Sequence, residues 1–140
     1  MKRLKKILTP LLLLVLAAAG YGWYAFNKKP ADVRQQSADM EIKAKDLLQL
    51  FQQNEAAANA RYVDKVIVVS GVVLSMQTDA EGKTTLSLDT GDPMATVTCS
   101  FYNEETAALK QINKGNPVRV KGICTGMLSD VILNKCSLVK

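Results

Sequence analysis

From Ile7 to Phe26 the chain runs 20 residues without a charged side chain. At about 1.5 Å per residue a helix of that length spans about 30 Å, the hydrocarbon thickness of a bilayer. Lys2, Arg3, Lys5 and Lys6 precede the run, and Tyr21, Trp23 and Tyr24 crowd its far end, where amphipathic rings favour the membrane interface. Pro10 is expected in the first helical turn, where its missing N–H costs little. The basic tip is expected to stay in the cytoplasm, which leaves everything after Phe26 outside. The expected location is therefore the inner (cytoplasmic) membrane, single-pass, with the C-terminal part facing the periplasm or cell exterior. A second reading makes Ile7–Leu16 the core of a secretory signal, cut after Ala17-Ala18-Ala19. The continuation of the run past that site favours an uncleaved anchor. With no cysteine nearby, lipoprotein processing is excluded.

The net charge of +5 does not describe the part beyond the run. Six of the 18 Lys and Arg lie within residues 1–30, whereas all 13 Asp and Glu lie beyond them, so residues 31–140 carry a net charge of −1. A nucleic-acid binder shows its basic footprint on the folded domain. Here the positive excess serves topology, which argues against nucleic acid as the partner.

The expected organisation is a basic tip and anchor over 1–29, a polar linker over 30–36 within Asn27–Gln36, and a domain over 37–140. A helix is expected from Ser37 to Arg61. Ser37 would cap it, Asp39 and Glu41 suit its positive end, and Met40, Ala44, Leu47, Leu48 and Phe51 form one apolar face. From Tyr62 the period changes to two. Val66–Gln77 is rich in β-branched residues, and Gly71 inside it signals a bulge or sharp bend. Asp79-Ala80-Glu81-Gly82 is a turn, Thr84–Thr90 alternates, Gly91-Asp92-Pro93 turns again, and Ala95–Tyr102 alternates. A short helix follows, capped by Asn103, with Leu109 and Ile112 inward and Gly115 and Pro117 ending it. Val118–Cys124 and Val131–Val139 are the last two strands. The order predicts a mainly β fold with α elements. It is a five-stranded OB-fold Greek-key barrel, preceded by an amphipathic helix and an N-terminal transmembrane helix.

Asn54-Glu55, Ala58, Tyr62, Lys65 and Val68-x-x-Gly71-x-Val73 form the first part of a recognisable pattern. Gly122-x-Cys124-x-Gly126 and Asp130-Val131-x-Leu133-x-x-Cys136 complete it. Together they resemble the tRNA_anti-like family of bacterial OB-fold proteins across roughly residues 37–139. The Asn27-Lys28-Lys29-Pro30 junction after an apolar segment fits the layout of such proteins. The resemblance implies the fold and an exported or membrane-anchored setting; it assigns no activity.

OB-folds bind ligands across their second and third strands. Alternation places Thr85, Ser87 and Asp89 outward on the second, and Thr96, Thr98, Ser100 and Tyr102 outward on the third. Single-strand binders need aromatic platforms and a cationic track. This face offers one aromatic, one acid and no base, with Lys83 at its edge. Arg119 and Lys121 point outward from the fourth strand and join Thr85, Ser87, Thr96, Thr98, Ser100 and Tyr102 as candidate ligand-binding residues, with a solvated strand face as the alternative reading of the two cations. The hydroxyls suit a glycan or a peptide edge.

The absence of histidine removes the commonest general base, and no phosphate loop, dinucleotide fingerprint or calcium loop is present. No catalytic residue, metal ligand or cofactor is expected. Three cysteines are an odd number for an exported domain. Cys99 shares parity with Val97 and Phe101 and reads as core. Cys124 and Cys136 are the candidate disulfide, although a symmetric turn at Leu128-Ser129 would set Cys124 opposite Leu133 and Cys136 opposite Lys121. The expected function is a non-catalytic, membrane-tethered extracytoplasmic binding or scaffolding module. Ile7–Phe26 would contact the membrane, and the partner would be an envelope protein, peptide or glycan. The alternative is a single-stranded nucleic-acid-binding OB-fold protein at the membrane.

Overall fold

The computed structural model describes residues 2–27 and 32–140, and they fall into two compact units, Met1–Ala31 and Asp32–Lys140. In the first unit, helix α1 (Lys2–Phe26) contains the candidate span Ile7–Phe26, with a mean hydropathy of 1.7. Because α1 starts at Lys2, Pro10 lies inside it rather than in its first turn, and one backbone bond of the helix is missing there. The expected linker residues 28–31 lie outside the described residues.

In the second unit the strands are β1 (Met40–Lys43), β2 (Val66–Thr78), β3 (Thr84–Leu88), β4 (Val97–Phe101), β5 (Pro117–Met127) and β6 (Val131–Leu138). Strands β2, β3, β4, β6 and β5 pair in that order, and β5 returns to β2, closing a five-stranded barrel. All these pairings are antiparallel except β4–β6, which is parallel. Leu86, Leu88, Val97, Cys99, Val120, Val131 and Leu133 point inward and are fully buried. The partners alternate at 85, 87, 96, 98 and 100 and are half-exposed, the period-two pattern of a one-sided sheet.

The single helix expected over Ser37–Arg61 is three elements. Residues 40–43 form β1, which runs parallel to β2 with Met40 opposite Ile67 and Lys43 opposite Ser70. Asp39 begins this pairing: its N–H donates to the Val66 carbonyl at 2.7 Å, and its carboxylate accepts the Val66 N–H at 3.2 Å. Ser37 therefore caps no helix. Helices α2 (Ala44–Gln53) and α3 (Glu55–Tyr62) follow, divided at Asn54. The extended backbone of Asn54 stops α2, while its side-chain oxygen accepts the Ala57 N–H at 3.0 Å and caps α3. Leu47, Phe51, Ala58 and Tyr62 bury the faces of both helices in the barrel core.

Two other elements differ from expectation. The second helix shrinks to a 3-10 turn at Asn103–Glu105 and the four-residue α4 (Thr106–Leu109). Leu109 ends α4 in the core, the half-buried Ile112 packs against it, and Gly115 and Asn116 bond across to Val73. In β2 the register shift falls between Val73 and Ser75, not at Gly71. Gly71 serves a close approach: a Cβ there would stand 3.1 Å from the Ala44 Cβ and 3.3 Å from the Leu88 Cβ.

Candidate functional site

The outward face of β3 and β4 carries the hydroxyls in register, with Thr85 opposite Ser100 and Ser87 opposite Thr98. Thr96 is bound to the β5–β6 turn. The Asp130 carboxylate accepts its backbone N–H at 2.7 Å and its hydroxyl at 3.1 Å. The same turn leaves Leu128 85% exposed. At the far end of β4 a polar groove of about 560 Å³ is lined by Lys83, Ser100, Tyr102, Asn134 and Lys135, among others. Asn134 and Lys135 come from β6. Alternation alone does not bring them in, because Lys135 sits at a positive φ of 53° beside a register shift between β5 and β6.

The remaining candidates are engaged by the segment that precedes β1. Asp32 caps a 3-10 turn at Val33–Gln35, and Val33 is fully buried. This strap belongs to the barrel unit, so Asp32–Gln36 is not a free linker. The Lys121 ammonium donates to the carbonyls of Arg34 at 3.0 Å and Gln36 at 2.9 Å. The Tyr102 hydroxyl accepts the Val33 N–H at 3.4 Å, and the Arg34 guanidinium lies 4.9 Å from the centre of the Tyr102 ring. Arg34 is in turn held by Asp32, whose hydrogen bonds from the Arg34 side chain and backbone hold its carboxyl below its ordinary pKa. Arg119 makes a two-pronged ion pair with Glu41 of β1, at 2.9 and 2.8 Å, and its hydrogen bonds lower the Glu41 pKa. The one aromatic and both β5 cations of the expected face thus each contact residues 32–41, while Tyr102 also lines the polar groove.

All three cysteines are free and buried. Cys124 stands opposite Leu133, as the symmetric turn requires. Cys136 does not stand opposite Lys121, because the register shift makes Ser137 the partner of Lys121. Its thiol hydrogen-bonds with Cys99, and burial, together with that neighbour, pushes its pKa well up. The thiol beside Cys136 is therefore the one assigned to the core, and not Cys124.

Barrel order, the parallel β4–β6 pairing and the outward hydroxyl face define an OB-fold domain, here carried behind an N-terminal apolar helix. The chain belongs to the tRNA_anti-like family, whose sequence profile matches residues 1–138. Among solved structures it is similar to a "putative nucleic acid-binding lipoprotein" from Klebsiella pneumoniae subsp. pneumoniae MGH 78578. Identity is 19% over 80% of this chain and 100% of that one, with a TM-score of 0.60. It is also similar to a "putative aspartyl-tRNA synthetase" from Leishmania major Friedlin, at 15% identity over 81% of this chain and 22% of that one, with a TM-score of 0.50. At these identities the likeness concerns the fold. No curated protein sequence matches the chain.

Proposed function

We propose that the chain is a non-catalytic, membrane-tethered extracytoplasmic binding or scaffolding module. Its β3–β4 face, extended by Asn134 of β6, takes a peptide or glycan of an envelope partner. The observation that carries this reading is the engagement of Arg119 and Lys121 by Glu41 and the strap carbonyls. It leaves a face of Thr85, Ser87, Thr98 and Ser100 hydroxyls, which exchange neutral hydrogen bonds with hydroxyl or amide groups. The apolar Ile7–Phe26 segment supports the tether as an anchor; as a cleaved signal it would support export alone.

A nucleic-acid reading is favoured by one observation, the fold shared with the Klebsiella protein whose printed name describes nucleic-acid binding. The two readings separate by salt. The full chain in nanodiscs is titrated with labelled oligothymidylate and oligouridylate at several salt concentrations. We expect no binding that strengthens as salt falls. A steep negative slope of log K against log salt would report phosphate contacts and replace the favoured reading with the second. Protease treatment of spheroplasts tests orientation, with digestion of the C-terminal domain from outside as the expected result.

A further inference from the structure

A second groove, larger than the one at the end of β4, lies away from the β3–β4 face. It holds about 1120 Å³, slightly above the range of ordinary small-molecule sites, and its walls are mainly apolar. Val72 of β2, Val118 of β5, Leu138 of β6 and Ile112 after α4 supply those walls. The shortness of α4 leaves them uncovered: Val72 is 42% exposed, and Ile112, Val118 and Leu138 are only partly buried. A chain of this size with such a trough gains by placing hydrocarbon in it, because each buried methylene is worth about 0.8 kcal/mol.

One end of the trough is cationic. Lys43 and Lys45 line it at the junction of β1 and α2, and neither has an ion pair or side-chain hydrogen bond among the described residues. The start of α2 lies between them, and Lys43 at its capping position supplies no side-chain acceptor. The unmet N–H groups of that first turn add positive potential at the same place. Of the other charged side chains lining the groove, Arg119 is neutralised by Glu41, and Asp89 and Glu105 each accept a backbone N–H, from Gly91 and Leu138. At the β1–α2 junction the Lys43 and Lys45 ammonium groups thus stand together without a carboxylate partner.

We propose that this groove binds a single-chain fatty carboxylate. Its hydrocarbon lies against Val72, Ile112, Val118 and Leu138, and its head group meets Lys43, Lys45 and the start of α2. The paired Lys43 and Lys45 ammonium groups fit one carboxylate, and the apolar wall beyond them fits its hydrocarbon. This site is separate from the β3–β4 face and does not depend on what that face binds.

The test uses the full chain in phosphatidylcholine nanodiscs and a dodecanoate carrying a photoreactive diazirine on its chain. Adducts are mapped by peptide mass spectrometry. The expected result is labelling of the segments containing Val72, Val118 and Leu138, removed by excess unlabelled dodecanoate. The exposed pair Lys43→Glu and Lys45→Glu should lower that labelling about fivefold, more at low salt than at high, without altering the melting temperature. Val72→Asp, at an exposed wall position, should lower it as well. Labelling confined to Ile7–Phe26, equal labelling by a diazirine-bearing dodecylamine, or adducts joining two copies of the chain would each overturn the proposal. Stronger competition by lysophosphatidate than by dodecanoate would overturn the carboxylate assignment in favour of a phosphate head.

Discussion

Arg119 and Glu41, separated by 78 residues in sequence, meet across β2 through paired hydrogen bonds of 2.9 and 2.8 Å. Arg119 stands opposite Ser70 in the β2–β5 pairing and Glu41 opposite Val68 in the β1–β2 pairing, so the ion pair links the two strands that flank the first half of β2. Both side chains are about half exposed, which makes the pair a fastener for β1 more than a source of global stability. Arg119→Ala should leave the melting temperature nearly unchanged while hydrogen exchange quickens at residues 40–43. Equal protection in the variant would show that backbone pairing alone holds β1.

The same pair gives a pH dependence of defined sign. Because the Arg119 hydrogen bonds lower the folded pKa of Glu41, its contribution is complete above the ordinary glutamate value. It disappears as pH falls through the lowered folded value. Exchange at 40–43 should therefore rise on acidification in the native protein and remain flat in Arg119→Ala, as followed by amide exchange corrected for intrinsic rates.

Lys121 and Val33 hold the strap by different means, and their variants should differ. Lys121→Met removes the donors to the Arg34 and Gln36 carbonyls, and tryptic cleavage at Arg34 should accelerate with little loss of stability. Val33 is fully buried, so Val33→Ala should cost about 1–3 kcal/mol in chemical denaturation. If cleavage at Arg34 is already fast in the unaltered chain, the strap is not closed in solution.

Gly122 has no room for a side chain. A Cβ would lie 2.6 Å from the Cys136 sulfur and 3.2 Å from the Asn134 carbonyl oxygen. Gly122→Ala should destabilise the domain by about 1–3 kcal/mol, and adding Cys136→Ala should recover part of the loss. Equilibrium unfolding of the single and double variants measures both effects; additive losses would place the clash elsewhere.

The three thiols should resist alkylation in the native state and react together on unfolding without reductant. All are buried, and burial raises the pKa of Cys124 and Cys136, which disfavours the reactive thiolate. Mass spectrometry after alkylation in denaturant should show three adducts. A single adduct would reveal a disulfide and restore the pairing suggested by compartment.

Strands β2 to β6 were legible because period-two alternation is punctuated by residues that turn the chain, as at Gly91-Asp92-Pro93. Residues 40–43 were not, since four residues satisfy a helical stripe and an alternation equally well. Asn54 could be read either as an exposed helical residue or as a boundary, and only its extended backbone decides. At the site, parity correctly turned Thr85, Ser87, Thr98 and Ser100 outward. It also turned Arg119 and Lys121 outward, but outward is not the same as available. Their partners lie between 78 and 87 residues earlier in the chain, a distance over which no local pattern carries information.

The parallel alignment of β1 with β2 has a mechanical consequence. A pull applied at Asp32 along the axis of β1 first meets the Val33 side chain and the Lys121 bonds, then a ladder whose rungs lie across it. Such a ladder is loaded in shear, with several bonds sharing the force, and does not unzip one bond at a time. The domain is thereby protected from being peeled open from its N-terminal side.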